Sequence, residues 1–274
     1  MAAPRRNWQE MTSEEFAHLD AARTIAILPV AAIEQHGPHL AVGVDAVINE
    51  GILARALELA PAGLALIVLP ALSVGRSDEH GDFPGTLSLG AETAIRLWSE
   101  IGASVAKAGI QKLVLFNSHG GQPQILDIVG RELRARHKML VVQVNAYRLW
   151  DGSTMFGREE IEHGIHGGAV ETSIMLHLAP HSVRRDRIAD FAPRSIEIAR
   201  DYAPIGAHGR VPFSWLTQDL NAEGACGDAT QATAAHGKTL VEEAARATAK
   251  ILVELDRMPL DLLKDGPRAE STSR

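Results

Sequence analysis

The sequence predicts an α/β protein, a three-layer α/β/α sandwich around a mostly parallel sheet. Two observations carry this reading. Short apolar runs, each too brief for an ordinary helix, alternate along the chain with segments of helical periodicity. The polar residues able to do chemistry cluster just past those runs, where parallel sheets bind their ligands beyond the strands' carboxyl ends. The chain opens with a short helix marked by Thr12-x-x-Glu15, a capping box in which each side chain satisfies the other residue's backbone N–H. Strands are expected at Thr24–Val30, Leu64–Leu69, Lys112–Asn117 and Met139–Asn145. Helices are expected at Val44–Ala60, Ala91–Ala108, Gln122–Arg136, Ala169–Leu178 and a long Thr230–Leu255. Strand, helix, strand, helix implies crossover connections and helices on both faces of the sheet.

The chain has 274 residues, 46% hydrophobic and 22% charged, enough for a sizeable core. No Pro/Ser-rich linker or repeat divides it. We therefore expect one domain over residues 1–274, ordered from roughly residue 10 to 256, with MAAPRRN and LKDGPRAESTSR as disordered tails. A net charge of −7 without a clustered basic face argues against nucleic acid and anionic membranes as partners. The single cysteine, Cys226, excludes an intramolecular disulfide. No apolar segment follows the two N-terminal arginines, and no run of about 18 apolar residues occurs, so a cytoplasmic location is expected.

Three segments carry the chemistry. Leu28–Asp45 places Glu34, His36, His39 and Asp45 just beyond a buried strand. In an extended chain residues two apart share a face, so Glu34 and His36 can converge while Gln35 faces away. Asp45 opens the next helix, where unpaired N–H groups favour a carboxylate. Carboxylate plus imidazole is the ligand set of zinc, manganese or iron rather than calcium. The second segment, Phe116-Asn-Ser-His-Gly-Gly-Gln122, follows the third strand, and its paired glycines free His119 to point into the cleft. The third, His166-Gly-Gly-Ala-Val-Glu171, places Glu171 in the first turns of a helix. Together they offer Glu34, Asp45, Glu171, His36 and His119. Two divalent cations bridged by Asp45 and a hydroxide would carry no net charge, since three carboxylates and the hydroxide offset four positive charges. A fourth segment, Ser77–Thr86, reads as a polar loop over the site, with Ser77 facing the substrate and Glu79 and His80 supporting the ligands rather than binding metal.

These residues, in this order and spacing, resemble the creatininase family, the creatinine amidohydrolase-like metal-dependent hydrolases. The resemblance runs through Glu34-x-His36-Gly-Pro-His39, Asp45, Glu79-His80-x-x-Phe83-Pro-Gly-Thr86, Asn117-x-His119-Gly-Gly, His166-x-Gly, Glu171-Thr-Ser and Gly227-Asp228. It implies two divalent ions per chain: Glu34, Asp45 and His119 on one, His36, Asp45 and a further carboxylate on the other. It also implies proton transfer by His166, a small-molecule substrate and a homohexamer. Creatininase proper carries its further carboxylate at the position that here is Gly121; Glu171 is the replacement, as in the branch of the family that includes formamide deformylases and a peptidase of redox-peptide maturation. Creatininase also closes its substrate between tryptophans, and Trp150 and Asp151 stand in the comparable region.

The function expected is hydrolysis of an amide C–N bond in a small cyclic amide or formamide, with a peptidase acting on a short modified peptide as the alternative. Two other classes compete. A serine hydrolase using Ser118 lacks the G-x-S-x-G elbow, because Phe116 occupies the first glycine position. A non-catalytic binding protein would have little need of five convergent ligands and a free histidine.

Overall fold

The computed structural model describes residues 6–266; the ends of the expected tails, 1–5 and 267–274, lie outside the described residues. Five strands build the main sheet: β1 (Arg6–Asn7), β2 (Ile25–Val30), β3 (Leu66–Val68), β4 (Lys112–Asn117) and β5 (Leu140–Asn145). Their order is β1-β3-β2-β4-β5, and every pairing is parallel. The helices along this half are α1 (Ser13–Ala17), α2 (Val44–Leu59), α3 (Ala91–Lys107) and α4 (Pro123–His137). A stretch of short pieces follows: α5 (Arg158–His163), α6 (Ala169–Leu178), β6 (Asp190–Phe191), α7 (Ser195–Tyr202), β7 (Ile205–Gly206), β8 (Val211–Pro212), α8 (Thr217–Leu220) and β9 (Gly227–Asp228). The long α9 (Ala234–Arg257) closes the fold.

Alternation along the strands makes the layers. In β2, Ile25 and Ile27 join a core shared with α2, α6 and α9, whereas Ala26, Leu28 and Val30 face a second core with α3 and α4. In β4, Val114 and Phe116 point to the first core, Leu113 and Leu115 to the second. Lys112, at the start of β4, is buried and donates to the carbonyls of Leu255 and Asp256, closing the carboxyl end of α9 with a positive charge.

Most boundaries match the sequence reading to within a residue or two. The exception is the start of α9. A 3-10 turn covers Ala229–Gln231, and Thr233, in extended conformation, caps the helix by accepting from His236 N–H, so the helix begins at Ala234 rather than Thr230. The tails also differ from expectation. Arg6 and Asn7 pair with β3, and Leu263 packs on the core while Asp265 meets Lys138 at 2.7 Å. Among the described residues no helix is long and apolar enough to cross a membrane.

Candidate metal centre

The carboxyl ends of β2 and β4 are drawn together by α2: the Asn49 amide donates to Val30 O and Phe116 O at 3.0 and 3.1 Å, each bond adding about 1 kcal/mol. Past those ends the chain delivers Glu34 and His119, and the first turn of α2 delivers Asp45 between them. Ser118 donates its hydroxyl to the Asp45 carbonyl at 2.8 Å, so it is committed to holding α2.

His36 Nδ1 donates to the Glu34 carbonyl at 3.0 Å, which leaves Nε2 aimed inward. That nitrogen is buried, has no hydrogen-bond partner, and lies 3.9, 3.8 and 3.7 Å from carboxylate oxygens of Glu34, Asp45 and Glu171. His119 is oriented likewise. Its Nε2 donates to the Arg76 carbonyl at 3.0 Å and lies 3.3 Å from Glu79 Oε1, while Nδ1 faces Glu34 Oε2 at 3.1 Å and Asp45 Oδ2 at 3.2 Å. Ligand atoms within 4.8 Å of one another form four groups of three: Glu34–His36–His166, Glu34–Glu79–His80, and the two triads that share Asp45, Glu34–Asp45–His119 and His36–Asp45–Glu171. Two ligands bonded to one zinc ion at roughly 2.0–2.2 Å stand about 3–4 Å apart, so both triads fit a cation. The orphaned His36 Nε2 and the unsatisfied Asp45 Oδ2 need one.

The electrostatics agree. Burial opposes charge on His119, yet Glu34, Asp45 and Glu79 hold its pKa well above the usual value. Against its own burial, Glu34 is held well below by His119, with help from His80 and His166. Burial and then the Glu34 charge push Asp45 up to about 7, and burial raises Glu171. Crowded buried acids of this kind are relieved by a divalent ion.

Around the triads stands a layer of supporting groups. Ser77, fully buried, donates its hydroxyl to Glu34 Oε2 at 2.5 Å. His166 lies between His36 and His80, with ring centroids 4.1 and 4.0 Å away. Its Nε2 donates to the Gln35 carbonyl at 2.6 Å, and its Nδ1 faces Glu34 Oε1 at 3.7 Å. Burial, then the neighbouring His36, pull His166 down to about 4. His80 Nδ1 takes a hydrogen bond from the Gln35 amide at 2.7 Å, and its Nε2 lies 3.6 Å from Glu34 Oε1. Gly121 opens the space for Glu79: a methyl at 121 would stand 1.7 Å from Glu79 Oε1 and 2.5 Å from His119 Nε2.

The structure thus brings Glu34, His36, Asp45, His119 and Glu171 to one point, with His166, His80, Glu79 and Ser77 around them. Trp150 and Asp151 stand apart. Trp150 packs on the α2/α6/α9 core, and Asp151 is exposed, accepting from Ser153 N–H and held by its own N–H to Glu243 of α9. Gln35 does not face away. The strand stops at Val30, so the two-residue period no longer applies at 34–36, and the buried Gln35 amide joins His80 to the Gly224 carbonyl. Gln122 went unnoticed in the sequence. It accepts from Arg76 N–H and donates to Ala31 O and Asn117 Oδ1, fixing the loop whose carbonyl orients His119.

A carboxylate and imidazole cluster at the carboxyl edge of a parallel α/β sheet defines a metal-binding hydrolase. The chain belongs to the creatininase family: the family model "Creatinine amidohydrolase" matches residues 9–252. The mycofactocin precursor peptide peptidase of Mycobacterium tuberculosis (strain H37Rv) is 30% identical over 91% of this chain and 94% of its own. Creatinine amidohydrolase of Pseudomonas putida is 32% identical over 67% of this chain and 76% of its own. Solved structures of a manganese form of creatininase and of a zinc–zinc form of a creatininase variant superpose with TM-scores of 0.72 and 0.71, each at 26% identity and covering 90% of this chain and 97% of theirs.

Proposed function

We propose that this creatininase-family hydrolase uses two divalent ions, zinc or manganese with iron as a third option, to hydrolyse an amide C–N bond in a small cyclic amide or formamide. The observation that carries the proposal is the shared Asp45, whose two oxygens face different triads. Glu34, Asp45 and His119 would hold one ion, and His36, Asp45 and Glu171 the other. Bound there, the ions supply Lewis acidity, lowering the pKa of a coordinated water and polarising the amide carbonyl. His166 supplies the proton traffic. Its Nε2–H is fixed on the Gln35 carbonyl, so the Nδ1 lone pair faces the cluster, ready to take a proton and return it to the leaving nitrogen. Ser77, Glu79 and the Arg76 carbonyl keep the first triad's side chains in place.

A second reading, cleavage of an amide in a short modified peptide, is favoured by the 91% coverage of this chain by the mycofactocin precursor peptide peptidase match. Both readings place Glu171 where creatininase proper uses a carboxylate at the Gly121 position, and both turn away from creatinine itself. Metal analysis of the purified protein, joined to a screen of cyclic amides, formamides and short peptides, tests them. Absence of bound transition metal, or turnover that persists after chelation, would refute the proposal. Hexameric assembly is part of it, and light scattering checks the mass.

A further inference from the structure

Glu171 and His166 arrive on a segment with no cap of its own. Helix α6 begins at Ala169 after Gly168, which has no side chain to accept the first free N–H groups. A residue from another helix does so. Glu160 of α5 is buried, with its Oε1 accepting from Ala169 N–H at 2.6 Å and its Oε2 from Asp228 N–H at 2.6 Å. Asp228 lies two residues past Cys226, whose backbone pairs with His166 in both directions, at 2.7 and 3.2 Å. The carboxylate therefore joins the His166–Glu171 turn to the strip of chain that follows its backbone partner Cys226.

The surroundings are shaped to admit it. A methyl at Gly164, Gly168 or Gly227 would stand 2.2, 2.4 or 2.8 Å from Glu160 Oε1. Glu171 is tied into the same turn, accepting from Gly167 N–H at 2.5 Å. None of the groups that orient Glu34 or His119, namely Ser77, Arg76 and Glu79, touches Glu160. A cavity of about 100 Å³ is bordered by Glu160, Gly164, Gly227 and Asp228, and none of Glu34, His36, Asp45, His119 and Glu171 lines it.

We propose that Glu160 is a positioning residue for the Glu171 end of the centre, fixing the first turn of α6 from outside and thereby setting where Glu171 and His166 stand. The proposal rests on the two-ion reading above. Its test titrates manganese into metal-free wild type, Glu160→Ala and Glu160→Gln by calorimetry, and follows amide hydrogen exchange across residues 164–172 in the absence of metal. We expect Glu160→Ala to keep the first ion near wild-type affinity and to bind the second 10–100-fold more weakly. Its amides at 166–172 should exchange faster. Millimolar formate, entering through the cavity to replace the missing carboxylate, should restore both, which a general loss of stability would not allow. Glu160→Gln keeps the shape and one acceptor, so it guards against misfolding of the alanine variant and should show a smaller effect in the same sense. Equal weakening of both sites in step with a lower melting temperature, or unchanged binding and exchange, would overturn the role. If wild type takes up one ion only, the two-ion reading fails, and the exchange data with formate still decide whether Glu160 positions the segment.

Discussion

Glu34, Asp45 and His119 hang from the sheet and from the helix packed on it, whereas Glu171 and His166 come from a stretch of turns and short helices between β5 and α9. The first group is buried, with each side chain oriented by a neighbour anchored to strand ends: Ser77 on Glu34, the Arg76 carbonyl on His119, and Asn49 tying α2 to β2 and β4. In the second group Glu171 is 22% exposed and is held by a backbone amide of its own glycine turn. One end of the centre is therefore built wholly with the core, and the other takes the buried His36 and Asp45 from it and has Glu171 brought to them. The difference teaches that the two ions should respond separately to most changes, with Asp45 as the exception.

The most severe test is Asp45→Ala. Because this residue faces both triads, the variant should lose both ions and all measurable turnover, read by metal analysis after desalting; full occupancy would end the dinuclear description. Glu171→Ala comes next, with retention of the sheet-borne ion and loss of the other. If it emptied both sites, the two ends would not be independent. For His166→Gln we expect both ions retained and kcat lowered by roughly 10²–10⁴-fold with little change in KM, measured on a substrate found in the screen. Near-normal turnover would remove His166 from proton transfer. Ser77→Ala should weaken the sheet-borne ion alone by about 10–100-fold, the usual cost of losing a partner behind a ligand; calorimetry that showed the other ion weakened instead would reverse the assignment.

The smallest effect is on the stability of the metal-free protein. Burial and the Glu34 charge push Asp45 up to about 7, and burial raises Glu171, so their contribution is complete below the ordinary carboxylate range and is lost as pH rises above it, for Asp45 up to about 7. Burial pulls His39 and His166 down to about 4 and His80 to about 2, so their contribution is present above the ordinary histidine value and is lost as pH falls below it; the carboxylates around His119 hold it well above that value, so its contribution is lost as pH rises past it. Melting in the presence of chelator should therefore peak at roughly pH 6–7 and fall by a few degrees on either side. Metal should move the peak upward, because ions take over from the protons on Asp45 and Glu171. A chelated protein that grows steadily more stable up to pH 9 would contradict the charge arrangement.

The sheet-borne half was legible because its signals are local. Leu113–Phe116 is an unbroken apolar run ending in a polar turn, and the observed strand, Lys112–Asn117, has the predicted limits. Ala169–Leu178 was equally plain, with glycines before it and an apolar face along it. The path between β5 and α9 was not legible beyond α6, since its pieces are fixed by distant partners rather than by periodicity. Thr217, for example, is held by the Glu79 carbonyl and Gln35 by the Gly224 carbonyl. At the site, clustered histidines and acids announced themselves by type and spacing. Gln35, Gln122 and Glu160 did not, because an amide or acid that bonds backbone looks the same in sequence as one on the surface. Trp150 shows the converse: an aromatic beside a strand end gives no sign in sequence that part of it packs on the core, as it does here.

Gly121 and Glu79 compete for one volume, since any side chain at 121 must drive the Glu79 carboxylate off His119. The two positions therefore cannot be substituted independently in this chain. An acid introduced at 121 while Glu79 is present sets two negative groups against each other and against the imidazole between them. The same acid introduced after Glu79 has been shortened escapes that repulsion and meets His119, whose Nε2 would stand 2.5 Å from the new Cβ and must shift. Order decides which path is passable, and a one-position exchange between this chain and a relative with a carboxylate there would misrepresent what either acid can do.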